Sequence, residues 1–109
     1  MTYYFVKVPK LPKEVTHQMG TVEVVEYPVK EGEGVEAGKV IAVVENWWAR
    51  MALKAIGSGY VSKTFFSRGA HVLIGDPFAI IICDPEEAPN GKVSCELEII
   101  KHIRKKPGK

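Results

Sequence analysis

Apolar and polar residues change places along this chain with the short period of strands. The segments "TVEVVEYPV", "KVIAVVE", "RMALKA", "YVSKTFF" and "PFAIIIC" read as strands, and "KEGEGVEAGK" and "SRGAHVLIGD" as the loops between them. Gly and Pro punctuate these runs at short intervals, and no segment keeps a helical apolar stripe for three turns. The pattern predicts a small all-β sandwich or barrel.

The two loops expose an internal repeat. One constant offset lays Val24 on Val61, Val29 on Phe66, Gly32 on Gly69, Val35 on Val72 and Gly38 on Gly75. It also lays Ile41, Ala42 and Val43 on Phe78, Ala79 and Ile80. The shared unit is strand, G-x-x-V-x-x-G, strand, with glycines suited to turns of positive φ. Neither half can cover its apolar face alone. Two halves packed about a quasi-twofold axis would close one sandwich.

The halves are joined by "VVENWWARMALKA", which reads as a hairpin with Asn46–Ala49 as a type I turn and Trp47 and Trp48 at its centre. In this register Val44 faces Met51, Ala42 faces Leu53 and Val40 faces Ala55, all apolar and on one face. On the other face Glu45 meets Arg50, an opposite-charge pair beside the turn. The tip therefore presents two large apolar side chains where wet, polar residues are usual. Three fates would account for them: docking on a partner, folding back over the chain's own N-terminal strand or extension, or burial against a second copy.

Past the second half, Val93, Cys95, Leu97 and Ile99 alternate with Ser94, Glu96, Glu98 and Ile100 after an Asn-Gly turn signal. This predicts an added edge strand, with exchange between chains as the alternative. The expected organisation is a sandwich over residues 1–83 and an extension over 84–109 that ends in the basic "KHIRKKPGK", read as a solvated tail.

Composition changes this picture little. The chain has 109 residues, 46% apolar and 26% charged, with a net charge of +2, so neither nucleic acid nor a membrane surface is called for as partner. No apolar run approaches a membrane span, and "MTYYFVKVPK" reads as a native start rather than a signal peptide. Cys83 and Cys95 lack CxxC spacing and are expected as free thiols. His17, His71 and His102 are scattered, so no metal site is expected. Lys7, Lys10 and Lys13 lie in or beside "LPKEVTH", read as a solvated basic loop. No catalytic triad or phosphate loop can be assembled, and an enzyme is not expected.

The order and spacing of "VKVPKL", "GTVEVVEYPVKEGEGVEAGKVIAVVE", Gly59 and "RGAHVLIGDPFAII" resemble the biotinyl/lipoyl-carrier domain family, over about residues 5–82. The likeness is to lipoyl domains of the acyltransferase components of 2-oxoacid dehydrogenase complexes. It implies a flattened barrel of two four-stranded antiparallel sheets with quasi-twofold symmetry, to which the C-terminal strand would be extra. In the family a lysine at this hairpin's turn, within E-T-D-K-A or A-M-K-M, bears lipoate or biotin. Aligning "ENWWA" with either motif puts Trp48 at the lysine position, with Glu45 and Ala49 matching on both sides. An indole N–H only donates a hydrogen bond and cannot be acylated. Lys54 and Lys39 lie on a strand and in a preceding loop, not at the turn. His17 and Gln18 fall where lipoyl domains carry a partner-recognition loop.

The expectation is a cytoplasmic, non-catalytic relative without lipoate or biotin. It would use Glu45, Asn46, Trp47, Trp48 and Arg50 to bind a protein: a dehydrogenase or acyltransferase-type complex component, or a second copy. The alternatives are a swinging carrier using another lysine or a non-covalently held acyl group, and a small-ligand binder at the aromatic tip.

Overall fold

The computed structural model describes residues 2–16, 20–89 and 95–104. Among the described residues nine strands run in chain order: β1 (Thr2–Lys7), β2 (Thr21–Glu26), β3 (Gly34–Val35), β4 (Val40–Glu45), β5 (Ala49–Ala55), β6 (Gly59–Thr64), β7 (His71–Leu73), β8 (Pro77–Cys83) and β9 (Cys95–His102). They form two antiparallel sheets, β1-β8-β6-β3 and β7-β2-β4-β5-β9. The all-β sandwich is as expected, and the second sheet's fifth strand is the C-terminal one. Both presumed loops contain a short strand, β3 and β7, around the middle valine of the G-x-x-V-x-x-G unit. Val35 and Val72 are buried there and tie each loop to its sheet.

The quasi-twofold relation is written in the backbone hydrogen bonds. Gly32 N–H donates to Val61 O at 2.7 Å, and Gly69 N–H donates to Val24 O at 2.7 Å. Val61 N–H donates to Glu33 O and Val24 N–H to Ala70 O, both at 2.8 Å. Each bond becomes its counterpart when the halves are exchanged, as a rotation requires and a translation does not. Gly38 N–H to Ala55 O matches Gly75 N–H to Val8 O, both 2.8 Å, so β5 corresponds to β1. Gly32, Gly38, Gly69 and Gly75 all have φ between 90° and 93°, the left-handed turn conformation that the repeat predicted.

The core lies between the sheets. Matched residues Val24 and Val61, Ile41 and Phe78, and Ala42 and Ala79 are all fully enclosed. The segment after β1 contributes more than a solvated basic loop would. Leu11 and Val15 are core residues, and Val15 ends a short 3-10 turn at Lys13–Val15. His17, Gln18, Val93, Ser94 and the Asn90-Gly91 turn signal lie outside the described residues.

The β4–β5 hairpin keeps its predicted register near the turn: Glu45 opposite Arg50, Val44 opposite Met51, Ala42 opposite Leu53. It departs at the base, where Val40 faces Lys54 instead of Ala55. The register shifts between Val40 and Ala42, and the intervening Ile41 is fully buried. A bulge of this kind lets successive residues both reach the core.

Strand β9 lies beside its own β5, from Cys95 opposite Ala55 to His102 opposite Ala49. Cys95, Leu97 and Ile99 face the core, as their alternation predicted. Both cysteines are free thiols. The Cys95 thiol donates to Lys7 O at 3.1 Å, and burial pushes its pKa up to about 12. Cys83 is raised by partial burial first and then by the neighbouring Asp84, Glu87 and Glu86 carboxylates. Thiolate is the reactive form, so at pH 8 iodoacetamide should label Cys83 first and reach Cys95 only when the fold opens. Peptide mass spectrometry checks this, and equal labelling rates would show that Cys95 is accessible in the native state.

Candidate functional site

The tip of the β4–β5 hairpin is held by Asn46. Its side-chain Oδ1 accepts the backbone N–H groups of Trp48 at 2.8 Å and Ala49 at 3.0 Å. The carboxamide thus stands in for the backbone carbonyl of an ordinary turn. Its Nδ2 donates to Val15 O at 2.8 Å, which staples the tip to the 3-10 turn after β1. Asn46 N–H donates to Ala49 O at 3.0 Å and closes the hairpin. No described non-glycine residue has positive φ, so the turn is not of the primed or type II kind. Asn46 thus holds the shape of the turn. Below it, Arg50 Nε and Nη2 both reach Glu45 Oε1 at 2.9 Å. This part-buried pair agrees with the register and contributes about 0.2–1 kcal/mol.

The two tryptophans part company. Trp48 is partly buried and packs against the core. Trp47 is 54% exposed. Both are met by the end of the C-terminal extension. Ile103 and Arg104 donate their backbone N–H groups to Trp48 O at 2.8 and 3.1 Å. Arg104 Nη1 donates to Trp47 O at 2.9 Å, and the guanidinium carbon stands 3.5 Å from the Trp47 ring centroid. A stacked guanidinium of this kind contributes about 0.5–1 kcal/mol at an exposed site.

Reading "KHIRKKPGK" as a solvated tail therefore needs correction for residues 101–104, and residues 105–109 lie outside the described residues. Lys101 and His102 belong to β9, and Ile103 and Arg104 clasp the tip. A signal for this was available: a strand antiparallel to β5 that starts beside Ala55 must end beside Ala49, at the turn. The chain's C-terminal end thus meets both tryptophans, at the Trp48 carbonyl and at the Trp47 ring.

Beside the tip a groove of about 330 Å³ is lined by Glu23, Glu45, Trp47, His71 and Arg104, among others. Glu23 stands opposite Glu45 on one side and His71 on the other. The site thus combines an aromatic wall, a guanidinium and adjacent carboxylates. Among the described residues no group of His, Cys, Asp and Glu could hold a metal ion. No helix among the described residues is long and apolar enough to cross a membrane. The two lysines nearest the tip in the sequence reading are both ion-paired: Lys54 on β5 with Glu98, and Lys39 with Glu33 at 3.4 Å. The Glu98 carboxylate raises the Lys54 pKa, chiefly through their hydrogen bond.

No curated protein matches the chain in sequence. The family model described as biotin-requiring enzyme, the biotin/lipoyl attachment domain, matches residues 6–81. That segment runs from β1 into β8 and so takes in both quasi-symmetric halves and the hairpin between them, while β9 and its clasp on the tip fall outside it. This chain belongs to the biotin/lipoyl attachment domain family.

Proposed function

We propose that this domain is a non-catalytic protein-interaction module, derived from a carrier, whose hairpin tip displays an aromatic platform instead of an acylated lysine. The family's domains present a lysine at this turn and move its biotinyl or lipoyl group between partner enzymes. Covalent attachment needs a protruding amine. The turn reads Asn46-Trp47-Trp48-Ala49, and Trp48, aligned with the lysine, is packed against the core with its carbonyl taken by Ile103 and Arg104. These residues do not fit either group. The observation that carries the reading is the half-exposed Trp47 ring stacked on Arg104.

Aromatic and arginine side chains are the commonest hot spots of protein interfaces. Here they sit beside a groove with carboxylates and an imidazole, which suits a polar peptide segment. Partners that work with carrier domains, such as components of dehydrogenase or acyltransferase complexes, are the class to search first. The cytoplasmic location belongs to the same proposal, and two free thiols support it.

Two measurements test the reading. After co-expression with a lipoate ligase and a biotin ligase, the intact mass should equal that of the unmodified chain. A gain of one lipoyl or biotinyl group would restore the carrier function. Trp47→Ala and Arg104→Ala should each weaken capture of the partner by about tenfold or more while leaving the melting temperature within a few degrees. Capture unchanged in both variants would remove the tip from the interface.

A further inference from the structure

The quasi-twofold relation allows the outer faces of the two sheets to be compared position by position. On the β2-β4-β5 side, one row across the strands is Glu23, Glu45 and Arg50. Its counterpart on the other sheet is Tyr60, Ile82 and Tyr3. In the next row Val43 and Ala52 correspond to Ile80 and Phe5. The first row is thus charged on one sheet and aromatic or aliphatic on the other, while in the second row the exposed charge at the end is Glu26 on one sheet and Lys63 on the other. Tyr3 is 55% exposed, Tyr60 45% and Phe65 39%. Phe5 stacks on Phe65 with ring centroids 6.4 Å apart and meets Tyr3 edge-on at 5.8 Å, so the patch is continuous. At roughly 150–250 Å² per ring, the three exposed aromatics alone leave on the order of 250–300 Å² in solvent. This approaches the largest patch of a typical monomer before Phe5, Ile80 and Ile82 are added.

The charges around this face are separated end from end. At one end the ammonium groups of Lys7 and Lys63 lie over the Phe5 and Phe65 rings, at 5.9 and 5.7 Å. The nearby Glu31 carboxylate accepts the Thr64 N–H at 3.2 Å. At the other end, where β8 finishes, stand Asp84, Glu86 and Glu87. Asp84 and Glu87 line a groove beside Tyr60 and Ile82. A twofold axis lying in this face and crossing β8 at Ile81 turns one end onto the other. It sets Tyr3 over Phe5 of the second copy, Ile82 over Ile80, and the lysine end over the carboxylate end. The face is complementary to itself in shape class and in charge.

We propose that the outer face of the β1-β8-β6 sheet is the isologous interface of a homodimer. Apolar contact of Tyr3, Phe5, Phe65, Ile80 and Ile82 forms its centre, and Lys7 and Lys63 of each copy meet Asp84 and Glu86 of the other at its rim. A stable interface needs about 800 Å² per partner, so the exposed aromatics would be joined in it by Phe5, Ile80, Ile82 and the two charged ends. The interface lies on the other sheet from the β4–β5 hairpin that carries Trp47. It does not rest on the interaction proposed for the tip.

Sedimentation velocity of the full chain tests this. The wild type should sediment as a dimer, with Tyr3→Lys and Ile82→Lys monomeric and each still giving a native circular dichroism melt. Tyr3 is the more exposed of the two positions, so the test stands if Ile82→Lys is unstable. Lys63→Glu should weaken the dimer by about tenfold, and adding Asp84→Lys should restore much of that loss. Trp47→Ala and Ile100→Lys, both on other surfaces, should remain dimeric. A wild type that is monomeric up to ~100 µM would overturn the proposal. So would a dimer that survives both Tyr3→Lys and Ile82→Lys, or one lost in Trp47→Ala.

Discussion

Alanine in place of Gly59 is expected to cost about 3–5 kcal/mol, enough to consume much of the stability of a domain this size. The reason is space, not backbone angle. A Cβ on Gly59 would lie 2.2 Å from Ile82 O, 2.9 Å from the Ile81 Cγ2 methyl and 3.0 Å from Cys83 Cβ. The closest of these atoms is backbone. It belongs to β8, which is paired to β1 on one side and β6 on the other and cannot yield without breaking ladders on both. Overpacking against a side chain costs less because rotamers can adjust. Gly32→Ala is the control. That residue has φ near 90° with nothing within 4 Å of an added Cβ, so only left-handed strain of about 1–2 kcal/mol is incurred. Thermal melts should separate the two variants by roughly 10 °C or more. Equal melting temperatures would mean that β6 and β8 do not approach as closely as they do here.

The second large effect separates the neighbouring tryptophans. Trp48→Ala should destabilise the fold by about 3 kcal/mol, near the lower end for truncating a large aromatic, because the ring is partly rather than fully enclosed. Trp47→Ala should cost within about 1 kcal/mol, the loss of its exposed stacking on Arg104. Urea unfolding measures both through the midpoint at constant slope. If the order reversed, Trp47 would be the structural residue and Trp48 the displayed one. The predicted split also makes the interaction test readable, since loss of binding in a stably folded Trp47→Ala protein cannot be ascribed to unfolding.

Much of the architecture was legible in residue order. Alternation located the strands, and the constant offset between the G-x-x-V-x-x-G units disclosed the twofold exchange now seen in paired hydrogen bonds. The Glu45–Arg50 pairing fixed the hairpin register near the turn. The pattern failed where an effect was set by neighbours in space. Period-two reasoning carried the register straight through Ile41, whereas the bulge lets Ile41 and Ala42 both face inward. The 3-10 turn at Lys13–Val15 looked like a charged loop because Lys13 and Glu14 precede its one buried residue, Val15. The sequence marked Ile103 and Arg104 as basic tail because local composition does not say which distant turn a strand's end will reach.

The residues displayed at the hairpin were thus set by sequence alone: a four-residue turn, two indoles at its centre, and no amine between Asn46 and Ala49. Which indole is displayed was decided only by the tertiary structure. Adjacent residues in a turn point in different directions, and β9 arrives from the far end of the chain to take the Trp48 carbonyl and stack Arg104 on Trp47. Likewise, Tyr3, Phe5, Tyr60, Phe65, Ile80 and Ile82 are scattered along the chain and read singly as strand-forming residues. Sheet pairing brings them into one face, and that closeness, a consequence of register rather than of local propensity, is what makes them a surface.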